Sequence, residues 1–225
     1  LFSLNADRVI AANVDPIEKK PLYHFLPGSR SFSIASMGCN FSCRFCRNHS
    51  ISMIQTENDI RGNRVTPKQL VAIALENHAQ SISYTYTEPT VFFELMLATA
   101  QLAHRAGIKN VLVSNGFLTH PALTLLSPFL DAANIDLKAF SDDFYKKYCS
   151  ARLKPVLQTI ASLKALGIWV EVTTLLIPGL NDDRNEILEL ISFLHELDEN
   201  IPWHVSRFFP QYLLLDIPPT EAKVI

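Results

Sequence analysis

Charge of one sign is missing in excess: 20 basic and 22 acidic residues leave a formal net charge of −2 and a pI near 6.4. That balance removes the global electrostatic pull on which nucleic-acid binding rests. No apolar run is long enough for a membrane span. Cysteine is scarce, four in 225 residues, and three of the four crowd into eight positions. Such usage excludes a disulfide framework and fits a reducing compartment, with the cytoplasm as the expected location. No internal repeat or low-complexity segment is present beyond the alternation described below, which excludes solenoids and tails. The chain starts at Leu1 rather than Met, as expected of a fragment or of a chain that has lost an upstream targeting segment.

The three crowded cysteines carry the most information. Cys39, Cys43 and Cys46 are spaced C-x3-C-x2-C in the run MGCNFSCRFCRN, just after the strand-like residues 31–36. Three thiolates on one short loop can hold three corners of a [4Fe–4S] cluster, whose usual complement is four Cys ligands. With no fourth cysteine nearby, one iron would stay open to another ligand. Two other readings stand beside this one. His49 follows Cys46 as C-x2-H, so the four residues could close a Cys3His zinc site on a non-catalytic scaffold. The thiols could also be small buried apolar groups that hold no metal. Cys149 stands apart, after Lys146-Lys147-Tyr148, and reads as structural.

At 48% hydrophobic content the chain can bury one sizeable core. Residues 1–30, broken by Pro16, Pro21, Pro27 and Gly28, read as an irregular lead-in with one strand pair; residues 31–225 read as one domain. Within it, β-branched and aromatic runs predict strands at 31–36, 81–86, 110–114, 133–137, 169–175 and 203–208. Helices are expected between them: from Thr66-Pro67, a cap followed by proline at the first position; over 90–106 and 154–166, each stopped by a glycine; and over 182–197, opened by Asp182-Asp183. Six strands alternating with helices predict an α/β fold with a parallel sheet, an open partial (β/α)6 barrel two units short of closure. In such folds the chemistry gathers at the C-terminal ends of the strands. The cysteine loop, Thr87-Glu88-Pro89, Asn115-Gly116, Lys138 and Pro178-Gly179 all fall there.

The strings ANVDPIEKKPLYHFLPGS, MGCNFSCRFCRN, SYTYTEPTVFFE, VLVSNGF, NIDLKAF, LLIPGLNDD and PWHVSRFFP resemble the radical S-adenosylmethionine (SAM) superfamily. Within it they resemble the radical SAM member of the AmmeMemoRadiSam group, related to the activating enzymes of glycyl-radical enzymes such as pyruvate formate-lyase. The resemblance runs from about residue 8 to residue 220. It implies a [4Fe–4S] cluster on Cys39, Cys43 and Cys46 whose open iron binds the amino and carboxylate groups of SAM. It also implies an electron donor of flavodoxin or ferredoxin type, and reductive cleavage of SAM to a 5′-deoxyadenosyl radical that abstracts hydrogen from a substrate. That substrate is unidentified; in the activase case it is a partner protein.

Tyr86, Thr87, Glu88 and Pro89 occupy the place of the superfamily's Gly-Gly-Glu-Pro turn, where the strand edge meets the SAM amino group and Glu88 fixes the turn. Asn115 is placed to bond ribose or the amino-acid part of SAM. Asp136 and Lys138 match the Asp-Leu-Lys of the activases, with the lysine on the SAM carboxylate. No catalytic residue follows from the resemblance. Each residue also has a plainer reading: Glu88 and Asn115-Gly116 as ordinary turn formers, Lys138 as surface, His204 as a packed polar group. Strand alternation puts His204 and Arg207 on opposite faces, so only one is expected inside the barrel. Relatives in this group carry further cysteines upstream and continue past the sixth strand, so a less covered barrel mouth is expected here.

Overall fold

The β-branched runs form strands where the sequence expects them, and a further edge strand comes from the lead-in. The computed structural model describes residue 5 and residues 7–225. Its strands are β1 (Arg8–Val9), β2 (Ala11–Pro16), β3 (Arg30–Ala35), β4 (Asn63–Arg64), β5 (Ser81–Tyr84), β6 (Lys109–Ser114), β7 (Ala132–Asp136), β8 (Trp169–Leu176) and β9 (Trp203–Arg207). The helices are α1 (His49–Ser52), α2 (Pro67–Glu76), α3 (Phe93–Arg105), α4 (His120–Leu126), α5 (Asp142–Phe144), α6 (Leu153–Ala165) and α7 (Arg184–Leu197). None of the described helices is long and apolar enough to cross a membrane.

Seven strands form one open sheet in the order β2-β3-β5-β6-β7-β8-β9, and β1 pairs with β4 apart from it. The six strands from β3 to β9 in that order run parallel. The expected partial barrel is present. β2, from the lead-in, joins its edge antiparallel to β3, so the lead-in adds to the main sheet as well as supplying β1.

Local chemistry accounts for the helix starts. The Thr66 hydroxyl accepts the Gln69 N–H while the Gln69 side chain accepts the Thr66 N–H at 2.9 Å, a reciprocal cap that opens α2. Asp183 accepts the N–H groups of Asn185 and Glu186 and opens α7. α3 and α6 stop just before Gly107 and Gly167, as expected.

Alternation along the strands makes two apolar regions. Ile34, Ile82, Leu112, Ala133 and Val170 face the helices and meet residues such as Met96, Ala100, Val156 and Ile160 in the main core. Val111 and Ala132 point the other way, into the barrel, where Ile17, Leu22 and Phe25 of the lead-in cover them. These positions lie near the beginnings of β6 and β7. The lead-in therefore closes the N-terminal end of the barrel and leaves its C-terminal end free.

Candidate functional site

The cysteine loop leaves β3 at that free end and is held from two sides. The Ser42 and Arg44 N–H groups each donate at 2.9 Å, to the carbonyls of Cys149 and Tyr148 respectively. Those carbonyls belong to a single wide helical turn of π type, Tyr145–Cys149, a form often found at functional sites. From the other side the Leu213 N–H donates to the Arg44 carbonyl at 2.9 Å. Phe41 and Phe45 are buried, Phe41 against Phe117 and Tyr145 and Phe45 against Phe144. These apolar anchors leave the intervening thiols facing a cavity of about 400 Å³ that Cys39, Cys43 and Cys46 all border.

Each thiol has a defined neighbour. Cys39 Sγ accepts the Phe41 N–H at 3.4 Å and the Asn115 Nδ2–H at 3.7 Å. Burial, with the Glu88 carboxylate adding to it, pushes its pKa up to about 12. A hydrogen bond with Cys149 and then burial push the Cys43 thiol well above its ordinary value. Cys46 Sγ lies 3.1 Å from Ser52 Oγ. Cys39 and Cys43 so placed stay protonated by themselves and would give up their protons to a metal that binds them, because a thiolate is the ligand form. Cys149, which reads as merely structural in the sequence, is fully buried against this site.

His49 does not join the thiols as a fourth corner around one ion. Its Nδ1 lies 3.2 Å from the Cys46 carbonyl oxygen and its ring stacks on Tyr212 at 4.6 Å. Among the described residues, the one group of potential ligands gathered within 4.8 Å of one another lies elsewhere and contains no cysteine. Thiols that border one cavity without converging on a point suit a group larger than a single ion.

The expected residues at the other strand ends reach the same cavity: Tyr86, Thr87, Glu88, Asn115, Asp136 and Lys138 all border it. Glu88 is fully buried. It accepts from Ser114 Oγ at 2.9 and 3.1 Å, from the Asn115 N–H at 2.9 Å, and from the Thr90 N–H and hydroxyl at 3.2 and 3.0 Å. Burial raises its pKa and these donors oppose the rise. The carboxylate thus ties the turn after β5 to the end of β6. The Thr87 hydroxyl donates to the Ser36 carbonyl at 2.6 Å, which pins the turn to the end of β3 and leaves the oxygen's lone pairs.

Tyr86 adopts a left-handed φ of +64°. Its hydroxyl donates to Asp15, the Lys20 ammonium sits 4.3 Å from its ring centre, and Asn48 Nδ2 donates to its carbonyl. Asn115 is equally committed: its Nδ2 donates to Asn40 Oδ1 at 2.7 Å and its Oδ1 accepts the Phe117 N–H at 2.9 Å. Asn115, expected on ribose or the amino-acid part of SAM, also engages the cysteine loop.

Lys138 is mostly buried and its Nζ lies 2.9 Å from Asp136 Oδ2. Burial disfavours its charge, but the Asp136 carboxylate beside it opposes that and holds its pKa above the ordinary value. Its N–H donates to the Tyr145 hydroxyl at 3.0 Å and its carbonyl accepts from Asn181 Nδ2 at 2.6 Å.

Thr173, Leu175 and Ser206 complete the inner wall, with Arg47 and Arg207 at its border. The period-2 alternation of β8 and β9 could have marked the first three. His204, in contrast, turns to Glu171 deeper in the barrel.

The description of the radical SAM superfamily matches residues 33–191. The uncharacterized protein MJ0808 of Methanocaldococcus jannaschii is 43% identical over 226 residues, which cover 100% of this chain and 67% of that protein. "Putative glycyl-radical enzyme activating enzyme MJ1632" of the same organism is 26% identical over 203 residues, 88% of this chain and 75% of its own. Among solved structures, SuiB of Streptococcus suis bound to S-adenosylmethionine superposes with a TM-score of 0.64 at 18% identity, over 83% of this chain and 42% of SuiB. The present chain therefore spans less than half of SuiB, and at that identity the likeness is one of fold. A match over most of the chain, with a parallel open sheet and three cysteines at the head of it, has one consequence for classification: the chain belongs to the radical SAM superfamily.

Proposed function

We propose that Cys39, Cys43 and Cys46 hold a [4Fe–4S] cluster with one open iron, that SAM occupies the adjoining cavity, and that the protein is a radical SAM enzyme of the AmmeMemoRadiSam type. The observation that carries this reading is convergence: three thiols and the polar ends of four parallel strands border one cavity. Bound together there, the two cofactors would supply reductive cleavage of SAM and hydrogen abstraction by the resulting 5′-deoxyadenosyl radical, with the electron drawn from a flavodoxin- or ferredoxin-like donor.

The chain's own residues bind and orient. The Lys138 ammonium offers charge to the SAM carboxylate, while Asp136 keeps it at the cavity wall. The strand edge at Thr85–Thr87, fixed by Glu88, offers carbonyls to the SAM amino group. Asn115 orients Cys39 and Asn40. Phe41, Phe45, Val113 and Leu175 supply apolar wall, which keeps water from reactive species. The substrate is left unnamed by these contacts. The likeness to MJ1632 favours a second reading, an activase that acts on a partner protein's glycine.

Anaerobic reconstitution tests the proposal. The wild-type protein should take up iron and sulfide, show visible iron–sulfur absorbance, and release 5′-deoxyadenosine from SAM when reduced with dithionite. Cys39→Ala, Cys43→Ala or Cys46→Ala should each lose most bound iron, and Cys149→Ala should keep it. Full iron content in Cys43→Ala would sink the cluster assignment, as would a colourless protein with stoichiometric zinc. Deuterium transferred into 5′-deoxyadenosine from a candidate partner protein would establish the activase reading.

A further inference from the structure

The lead-in string VDPIEKKPLYHF contains residues that the cofactor site does not use. Tyr23, His24 and Phe25 cross the N-terminal end of the barrel and donate their three successive N–H groups to the Glu171 carboxylate at 3.0, 3.0 and 3.1 Å. Trp169 Nε1 donates to the same carboxylate at 3.0 Å. Glu171 is fully buried, and these donors reach both of its oxygens.

Two imidazoles flank this anion. His204 Nε2, from β9, lies 2.6 Å from Glu171 Oε2, and His24 Nδ1, from the lead-in, lies 3.5 Å from the same oxygen. The two rings are 19° from parallel with centres 5.9 Å apart, and all three donor atoms fall within 4.8 Å of one another. Zinc bonds of about 2.0–2.1 Å at tetrahedral angles place neighbouring ligand atoms roughly 3.3 Å apart. The two distances to Oε2 bracket that value.

We propose that His24, Glu171 and His204 form a second metal site, which takes one divalent first-row cation, zinc by preference, and ties the lead-in to β8 and β9. Two imidazoles and one carboxylate make an open three-ligand set that leaves a position for water. His24 has its side chain 58% exposed, so an ion can reach the set from that side. The backbone and indole donors on Glu171 are the outer hydrogen bonds that orient a ligating carboxylate. Clasping the lead-in needs only Glu171 and the three backbone N–H groups; it makes no use of the His24 ring. The site lies near the beginning of β8, whereas the cysteines lie beyond the ends of the strands, so the two metals would be separate.

The test is anaerobic titration of the cluster-loaded protein with Zn²⁺, read by bound zinc, Trp169 fluorescence and thermal stability, with iron measured in the same samples. Wild type should bind one zinc beyond its cluster iron, with a change in fluorescence and a rise in Tm. His24→Ala keeps every backbone donor on Glu171 and removes only an exposed ring, so it should fold. Loss of an outer hydrogen bond alone costs about 10–100-fold in metal affinity; His24→Ala and His204→Ala should each weaken zinc at least that much with iron unchanged. No zinc binding by wild type, or equal affinity in wild type and His24→Ala, would overturn the proposal. So would zinc uptake that vanishes in Cys43→Ala and not in His24→Ala, which would place the ion at the cysteine loop. Loss of iron from wild type would count against the cluster reading and leave this one to the zinc data.

Discussion

At the scale of the residue, Tyr86 is held left-handed at φ +64°, which costs a non-glycine residue about 1–2 kcal/mol. Its partners offset that cost: Asp15 on the hydroxyl, Lys20 over the ring, Asn48 on the carbonyl. Asp15 also pairs with the buried Lys20 at 2.8 Å. Tyr86→Phe, which deletes a hydrogen bond to a charged acceptor, should lower stability by about 1.5–3 kcal/mol. Asp15→Asn should cost more, about 3–5 kcal/mol, because it strands the Lys20 charge. Denaturant titration would rank the two, and the reverse order would contradict the brace. The same pair sets a pH dependence. Burial would raise the Asp15 pKa, but Lys20, Tyr86 and Lys19 outweigh it and hold the carboxyl below its ordinary range. A depressed folded pKa means stability that is present above the unfolded value of about 3.9 and lost as pH falls from there toward the folded value. Wild type should therefore show a steeper acid limb than Asp15→Asn in stability measured against pH. Glu88→Ala belongs here too: it unties the turn after β5 from the end of β6. SAM affinity should fall by roughly ten- to a hundredfold, the equivalent of one hydrogen bond to a charged group, with cluster iron retained; calorimetric titration showing wild-type affinity would remove Glu88 from the cofactor wall.

At the scale of the element, the turn after β6 is a tight joint. Gly116 has φ +77°, and a Cβ there would meet Ile135 Cγ2 at 2.9 Å and Val156 Cγ1 at 3.0 Å. Gly116→Ala combines the left-handed cost of about 1–2 kcal/mol with overpacking against β7 and α6 of about 1–3 kcal/mol, and thermal unfolding should show a clear fall in Tm. The six parallel strands and the four longer helices were legible because their signals are local: β-branched runs, the Thr66 and Asp183 caps, and the stops at Gly107 and Gly167. α4 and the wide turn at Tyr145–Cys149 were not. The run YKKYC has no apolar period to read, and its role in holding the cysteine loop resides in backbone carbonyls. Most of the site was readable for a topological reason, since a parallel β/α succession brings every strand end to one side. The partners of its residues were not readable. Tyr86 and Asp15 are 71 positions apart, and His24 and Glu171 are 147 apart, so only the folded chain brings them together. That distance is also why the hydrogen bonds of Asn115 to Cys39 and Asn40 could not be read from the sequence, and why Cys149 seemed isolated.

At the scale of the whole molecule, the sheet is open between β2 and β9, and the lead-in seals one end of it. The seal depends on Glu171, whose removal would leave three adjacent N–H groups without their acceptor. Glu171→Ala should speed amide hydrogen exchange at Tyr23, His24 and Phe25 well beyond any change in the strands, because local opening then requires fewer broken contacts. Uniform exchange across the chain would show that Glu171 supports the fold generally. The way the lead-in is built into the barrel also limits how far the molecule can be reduced. A chain shortened to begin at β3 would retain every cysteine and all the parallel strands, and by composition would pass for a complete catalytic unit. Its inner surface at Val111 and Ala132 would lose the cover of Ile17 and Leu22, the wall beside the cysteines would lose Lys19 and Pro21, and Tyr86 would lose its brace of Asp15 and Lys20. Such a miniature should still load iron, but it should self-associate through its hollow end and respond poorly to SAM.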